Sequence, residues 1–164
     1  MKKLITIFFI VLSFSAMAAV DCSFNFKDFH SMLEAKSKKY KSVKPESKDE
    51  ISKTVTQQAK LKTGEDVLFV GGGCAHFSYS FNFSKVKFKT NKVQEQFKKA
   101  HDLLLYIDIQ KGKKDILVTS LETAMKKPIQ KSKTDLYDLK CGDALCNLDL
   151  SSKNSLKISY SFAL

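Results

Sequence analysis

Residues 67–83 read VLFVGGGCAHFSYSFNF, a stretch that joins an apolar run, three glycines and a cysteine to an alternating aromatic segment. Aromatic and small polar side chains alternate in its second half. A period of two is typical of a β-strand with one buried face. The alternation shifts after Ser84, which predicts that the strand ends or bulges near Ser84 and Lys85. The four aromatic side chains on this face are too apolar to remain exposed to water, so we expect helices to pack on the same face of the sheet. They are Phe77, Tyr79, Phe81 and Phe83.

Three glycines at 71–73 precede this strand. A P-loop is excluded because the lysine and the hydroxyl residue that this motif requires do not follow the glycines. A dinucleotide-binding fingerprint is excluded because it leads into a helix, whereas this segment leads into a predicted strand. We predict a bulge here, or a point where another backbone or a disulfide of Cys74 comes close. A loop that cradles a ligand is the alternative interpretation.

Other strands are predicted from hairpin signals. Residues 54–61 fit a helix and a strand equally well, but the tetrad Lys-Thr-Gly-Glu at 62–65 is typical of a turn into residues 66–70 and favours the strand. Near the C-terminus, apolar residues alternate over 146–150 and again over 156–164. These two runs predict a closing hairpin.

Apolar residues recur at helical spacing in three segments. Thr90 and Asn91 can cap the second segment, and Gln94 lies at the capping-box position. The segments at 41–53 and 130–138 are predicted to be connections. We predict helices at residues 27–42, from the Thr90–Asn91 cap to Lys111, and at 116–125. The predicted fold is α+β: an antiparallel sheet of about five strands with two or three helices packed on one face.

The first residues have the features of a targeting signal. Lys2 and Lys3 precede an apolar run, and Ala16 to Ala18 supply the small-x-small pattern of a cleavage site. We predict that residues 1–18 are a secretory signal peptide and that residues 19–164 form one disulfide-stabilised domain. The protein is then periplasmic or secreted, with no stable membrane insertion after the signal is removed.

Four cysteines allow three pairings, and an even number in an exported chain predicts disulfides. Cys141 and Cys146 flank a four-residue loop that contains a glycine, so we pair them. Cys22 then pairs with Cys74 and ties the mature N-terminus to the central strand.

Cys74 and His76 are the candidates for chemistry on this strand. Because they are two residues apart on a strand, their side chains would project from the same face of the sheet, where His76 could act as the base that activates the Cys74 thiol. With His30 or His101 they could also bind a metal. Oxidation of Cys74 would remove the nucleophile, however, and no C-x-x-C or H-x-x-x-H spacing is present. We predict no catalytic residue, no metal and no cofactor, and we retain His76 as a candidate functional residue.

The formal charge is +11, and all 28 basic residues are lysine. A basic exported protein can meet envelope polyanions or acidic proteins. Specific phosphate sites favour the arginine fork, which this chain lacks. Export also separates the protein from nucleic acid, so we predict no nucleic-acid partner.

Residues 59–83 contain a Lys-Thr-Gly turn, a Val-Leu-Phe-Val strand and Gly-Gly-Cys-x-His before the aromatic strand. In these features the chain resembles small exported bacterial proteins of uncharacterised function. The resemblance implies the same hairpin and no particular activity.

The sequence as a whole predicts a small, non-enzymatic, exported binding domain. An inhibitor or immunity-type protein that acts on another envelope or extracellular protein fits this description. The alternatives are an enzyme or metal-binding protein centred on Cys74 and His76, and a lysine-rich binder of envelope polyanions.

Overall fold

The computed structural model describes residues 33–73, 76–109 and 114–163. The predicted signal peptide, Cys22, His30, Cys74 and the last residue of the predicted closing strand lie outside these ranges. The described elements are β1 (Tyr40–Val43), β2 (Ser47–Asp49), β3 (Thr54–Leu61), β4 (Asp66–Gly72), β5 (His76–Ser84), α1 (Val93–Tyr106), α2 (Asp115–Met125), β6 (Leu136–Cys141), β7 (Ala144–Asp149) and β8 (Ser155–Ala163).

The strands form a single antiparallel sheet in the order β1-β3-β4-β5-β8-β7-β6, and β2 also pairs with β3. Two meanders, β3-β4-β5 and β6-β7-β8, form most of the sheet, and β1 and β2 pair with the outer edge of β3. They join where β5 pairs with β8 along its whole length, from His76 to Ser84. Both helices lie in the connection between the two meanders.

The strand register aligns the buried side chains on one face. Phe81 pairs with Phe69 on one side and with Ile158 on the other, and all three are fully buried. The rings of Phe69 and Phe81 are 5.4 Å apart. Phe97 of α1 belongs to the same core and meets the ring of Tyr137 edge-on at 5.1 Å. The prediction that the odd positions of this strand are its apolar, core-facing positions is confirmed.

The predicted fold class is wrong in its count of elements. The described residues form a sheet of eight strands with two helices, and not about five strands with two or three helices packed on one face. Two of the strands that the prediction missed, β1 and β2, are short. Every residue of β2 is exposed, so no apolar alternation marks it. The third, β6, does alternate, with Tyr137 and Leu139 buried, but it begins inside the segment predicted to be a connection.

The predicted first helix is also wrong over its described part. Residues 33–39 form turns and an isolated bridge, and β1 follows. Leu33 is fully buried and bridges Ile109 beyond α1, while its N–H donates to the side-chain carbonyl of Gln57 at 2.8 Å. Leu33 and Tyr40, two apolar residues from the described part of the predicted helix, therefore reach the core separately, Leu33 from an irregular segment and Tyr40 from β1.

The other helices agree with the sequence in position but not in capping. Lys92 is the N-cap of α1 and makes no side-chain capping bond, although its N–H donates to Thr90 Oγ1. The Gln94 amide donates to the Met125 carbonyl instead of closing a capping box. The helix ends at Tyr106, earlier than predicted. No helix within the described ranges is long and apolar enough to cross a bilayer.

Candidate functional site

The structure describes only part of the predicted Cys74–His76 pair. His76 begins β5, where its backbone pairs with Ala163, and Cys74 lies outside the described residues. His101 lies on α1 with its Nε2 3.1 Å from the Glu122 carboxylate, in a contact between the two helices. Across residues 33–73, 76–109 and 114–163, no three ligand-type side chains come together in a way that could hold a metal.

The predicted bond between Cys141 and Cys146 is confirmed. It closes the β6–β7 hairpin, whose turn contains Gly142 at φ +68°. Ser120 of α2 contacts the hairpin from one side, because its hydroxyl oxygen lies 2.9 Å from Cys141 Sγ and 2.8 Å from the Lys140 carbonyl. Its single proton can be donated to that carbonyl or to the Ile116 carbonyl within α2 at 2.7 Å. The disulfide thus fixes an edge of the sheet against a helix.

The glycine segment approaches another backbone closely, as one of the sequence interpretations predicted. A Cβ on Gly72 would lie 2.2 Å from the carbonyl oxygen of Lys53, and Gly72 has a φ of +126°. The same oxygen accepts a hydrogen bond of 3.1 Å from the N–H of Gly73. Only a residue without a side chain allows this contact without movement of the backbone. The approaching backbone belongs to the loop between β2 and β3.

This loop, residues 50–53, is also fixed by its own polar contacts. Asp49 Oδ1 accepts hydrogen bonds from the N–H groups of Ile51 and Ser52 at 2.9 and 3.1 Å. The hydroxyls of Ser52 and Thr54 are 2.7 Å apart. Hydrogen bonds from the Ser52 N–H and hydroxyl, and then from the Ile51 N–H, hold the pKa of Asp49 below its ordinary value. We call residues 49–54, together with Gly72 and Gly73, the braced loop.

The braced loop presents one apolar side chain to solvent. Ile51 is 95% exposed, more than any other large hydrophobic residue of the described chain. Two ion pairs lie beside it, since Lys53 pairs with Glu50 at 3.2 Å and Lys48 with Glu46 at 3.5 Å. A single exposed apolar residue is ordinary on a protein surface. What distinguishes Ile51 is the hydrogen-bonded and glycine-supported backbone beneath it.

Sequence reasoning missed this loop because it falls in the segment predicted to be a connection at 41–53. A usable signal was present: Ile51 is an isolated aliphatic residue in a polar run, two positions after an aspartate of the type that hydrogen-bonds its own backbone in turns. No protein family, curated protein or solved structure matches the chain.

Proposed function

We propose that this protein is an exported, non-enzymatic binding domain that attaches to another envelope or extracellular protein through Ile51. The observation that carries the proposal is the almost complete exposure of an isoleucine on a loop whose backbone is already fixed. An inhibitor or an immunity-type protein would use such a loop to enter a cleft of its target.

The energetics favour a fixed loop over a mobile one. Burial of an isoleucine side chain stabilises a complex by about 2 kcal/mol. Fixing the backbone of one mobile residue costs roughly 1–2 kcal/mol. In the free protein the hydrogen bonds to Asp49 and the contact between Lys53 and Gly72 already fix the backbone of the loop. Binding therefore does not have to order it. Central anchors of this kind carry a large share of the energy of protein interfaces.

The chemistry of the loop also defines its partner. The charged residues of the braced loop are Asp49, Glu50 and Lys53, and Lys53 pairs with Glu50, so the loop offers a formal charge of only −1 to a partner. The expected partner has an apolar pocket of aliphatic size with a polar rim. Such a complex should lose little affinity when salt is added, in contrast to one held by lysines.

Two features support the export that this proposal requires. The disulfide between Cys141 and Cys146 is of a kind that persists in oxidising compartments. The basic start, the apolar run and the small-x-small pattern of residues 1–18 are those of a secretory signal.

Affinity capture from the envelope fraction tests the proposal. The bait is the tagged mature protein at about 150 mM salt, compared with Ile51→Ser and with Leu145→Ser, whose side chain is 75% exposed on β7. We expect the wild type and Leu145→Ser to recover the same stoichiometric protein. Loss of about 2 kcal/mol should weaken its binding to Ile51→Ser by roughly thirtyfold.

Thermal unfolding of the three proteins is the control, and it should be the same for all of them because both substituted side chains are exposed. Equal capture by Ile51→Ser and the wild type would contradict the assignment of the loop. Recovery of no stoichiometric partner by the wild type would contradict the proposed function itself.

A further inference from the structure

A cavity of about 730 Å³ opens between three loops at the other end of the central strands. Its walls are the connection from β5 to α1, the segment before β6 and the turn from β7 to β8. Backbone hydrogen bonds hold these walls together. The N–H of Val86 donates to the Asn154 carbonyl at 2.9 Å, and the N–H of Leu150 donates to the Asp135 carbonyl at 2.8 Å. The cavity is therefore a built feature of the fold.

Positive charge dominates the lining of this cavity. Lys87, Lys131 and Lys153 line it together with one carboxylate, that of Asp135. None of the three lysines forms an ion pair with another described residue, and all three are exposed. A smaller cavity of about 180 Å³ shares Lys87 with the first and adds Lys89.

Two other lysines, which line the smaller cavity, differ from these three because each forms an ion pair within the protein. Lys98 pairs with Asp102 at 2.8 Å, and Lys99 pairs with the buried Glu65 at 2.7 Å. Their charges are neutralised within the protein. The charges of Lys87, Lys131 and Lys153 are left available for a ligand.

We propose that this cavity binds an acidic polysaccharide, a sugar chain that carries carboxylate or phosphate groups. The lysines supply attraction without fixed geometry, which suits a polymer whose charges vary in position. Asn91, Asn154, Ser151 and Ser152 add amide and hydroxyl groups that can exchange hydrogen bonds with sugar hydroxyls. Half-buried Phe88, shared by both cavities, adds an apolar surface for a sugar ring.

This site is independent of Ile51. Register places the braced loop beside Ser78, which pairs with Gly72, whereas the cavity lies past Ser84 and Ser155 at the other end of the strands. Six residues of β5 separate the two ends, a distance of about 20 Å along an extended strand. A protein partner and a polysaccharide chain can therefore be bound at the same time.

Fluorescence anisotropy with labelled oligosaccharides tests the inference in the full mature protein. The probes are oligogalacturonate for carboxylate, phosphomannan fragments for phosphate and neutral dextran for sugar without charge. We expect at least one of the acidic glycans to bind at about 150 mM salt, and dextran to remain unbound. The acidic probe that binds identifies the charged group.

Matched variants distinguish binding at the cavity from nonspecific attraction to the positive charge of the whole protein. Lys87→Gln/Lys131→Gln/Lys153→Gln removes the cavity lysines, and Lys41→Gln/Lys60→Gln/Lys140→Gln removes the same charge from exposed strand positions. Three ion contacts of modest strength predict a loss of about tenfold in affinity for the first variant and less than about twofold for the second. Equal losses, or no binding of either acidic glycan to the wild type, would overturn the inference. Thermal unfolding checks that both variants are folded.

Discussion

At the scale of single residues, Gly72 connects the sheet to the proposed binding loop. The carbonyl of Lys53 occupies the space that a side chain at position 72 would need, and Gly73 donates a hydrogen bond to the same carbonyl. A side chain at position 72 would push the loop away from β4. Gly72 therefore contributes both to the stability of the domain and to the presentation of Ile51.

The first prediction compares two glycine substitutions. Gly64→Ala should destabilise the protein by about 1 kcal/mol, because φ is +110° but nothing lies within 4 Å of the new Cβ. Gly72→Ala should cost more, about 2–4 kcal/mol, because its Cβ would lie 2.2 Å from a backbone oxygen. Urea-induced unfolding measures both. Equal destabilisation by the two substitutions would show that the close approach does not exist.

At the scale of elements, the hairpin of β6 and β7 combines an edge strand with a disulfide. Edge strands expose unpaired backbone groups and are the first parts of a sheet to open. Here the bond from Cys141 to Cys146 closes the hairpin, and the Ser120 hydroxyl of α2 lies 2.8 Å from the Lys140 carbonyl. Both features hold the edge of the sheet in place.

Removal of this disulfide gives the second prediction. Cys141→Ala/Cys146→Ala should lower the free energy of unfolding by about 2 kcal/mol, the value expected for so short a loop. Leu145→Ala, in the same hairpin but 75% exposed, should change it by less than about 0.5 kcal/mol. Urea unfolding midpoints compare them. A double variant as stable as the wild type would mean that the bond does not constrain the domain.

The elements also show what the sequence could predict. The β3–β4 hairpin, β5 and its end near Ser84 followed from alternation and turn chemistry, because each strand buries one face in the core. β1 and β2 could not be found this way, since they are short and mostly solvated and only pairing with β3 defines them. The predicted helix over Leu33 and Tyr40 is wrong because an irregular segment followed by a short strand can place apolar residues in the core at helical spacing.

The candidate site was still less accessible to sequence analysis. The glycine segment predicted a close approach of another backbone, but the approaching partner, Lys53, is 19 residues away from Gly72 and is brought there only by sheet register. The exposure of Ile51 depends on the same register. Both features depend on residues that are distant from each other in the sequence.

At the scale of the whole molecule, buried and paired carboxylates link stability to pH. Burial alone would raise the pKa of Glu65, but the hydrogen bond and charge of Lys99 hold that pKa below its ordinary value. The hydrogen bond from Lys39, and then that from Ser37, likewise lowers the pKa of Asp108. A carboxylate with a lowered folded-state pKa stabilises the protein above its unfolded-state pKa, and the contribution is lost as pH falls through the folded-state value.

The third prediction follows from the lowered folded-state pKa of Glu65. Glu65→Gln should be less stable than the wild type near neutral pH, and the difference should shrink as the pH falls below about 4. Glu34→Gln, at an exposed position, should differ little from the wild type across the range. Thermal unfolding between about pH 3 and 7 measures the difference. A constant gap between Glu65→Gln and the wild type would show that the ion pair with Lys99 contributes no pH dependence.

The most direct test of the proposed function is photo-crosslinking at position 51 in cells that export the protein. A photoreactive phenylalanine analogue replaces Ile51 in one variant and Leu145 in a control, since both side chains are largely exposed. A partner held by the braced loop predicts one discrete adduct with another envelope or extracellular protein from position 51 and none from position 145. The absence of an adduct at position 51, or the same adduct from both positions, would contradict the proposal that Ile51 anchors the partner.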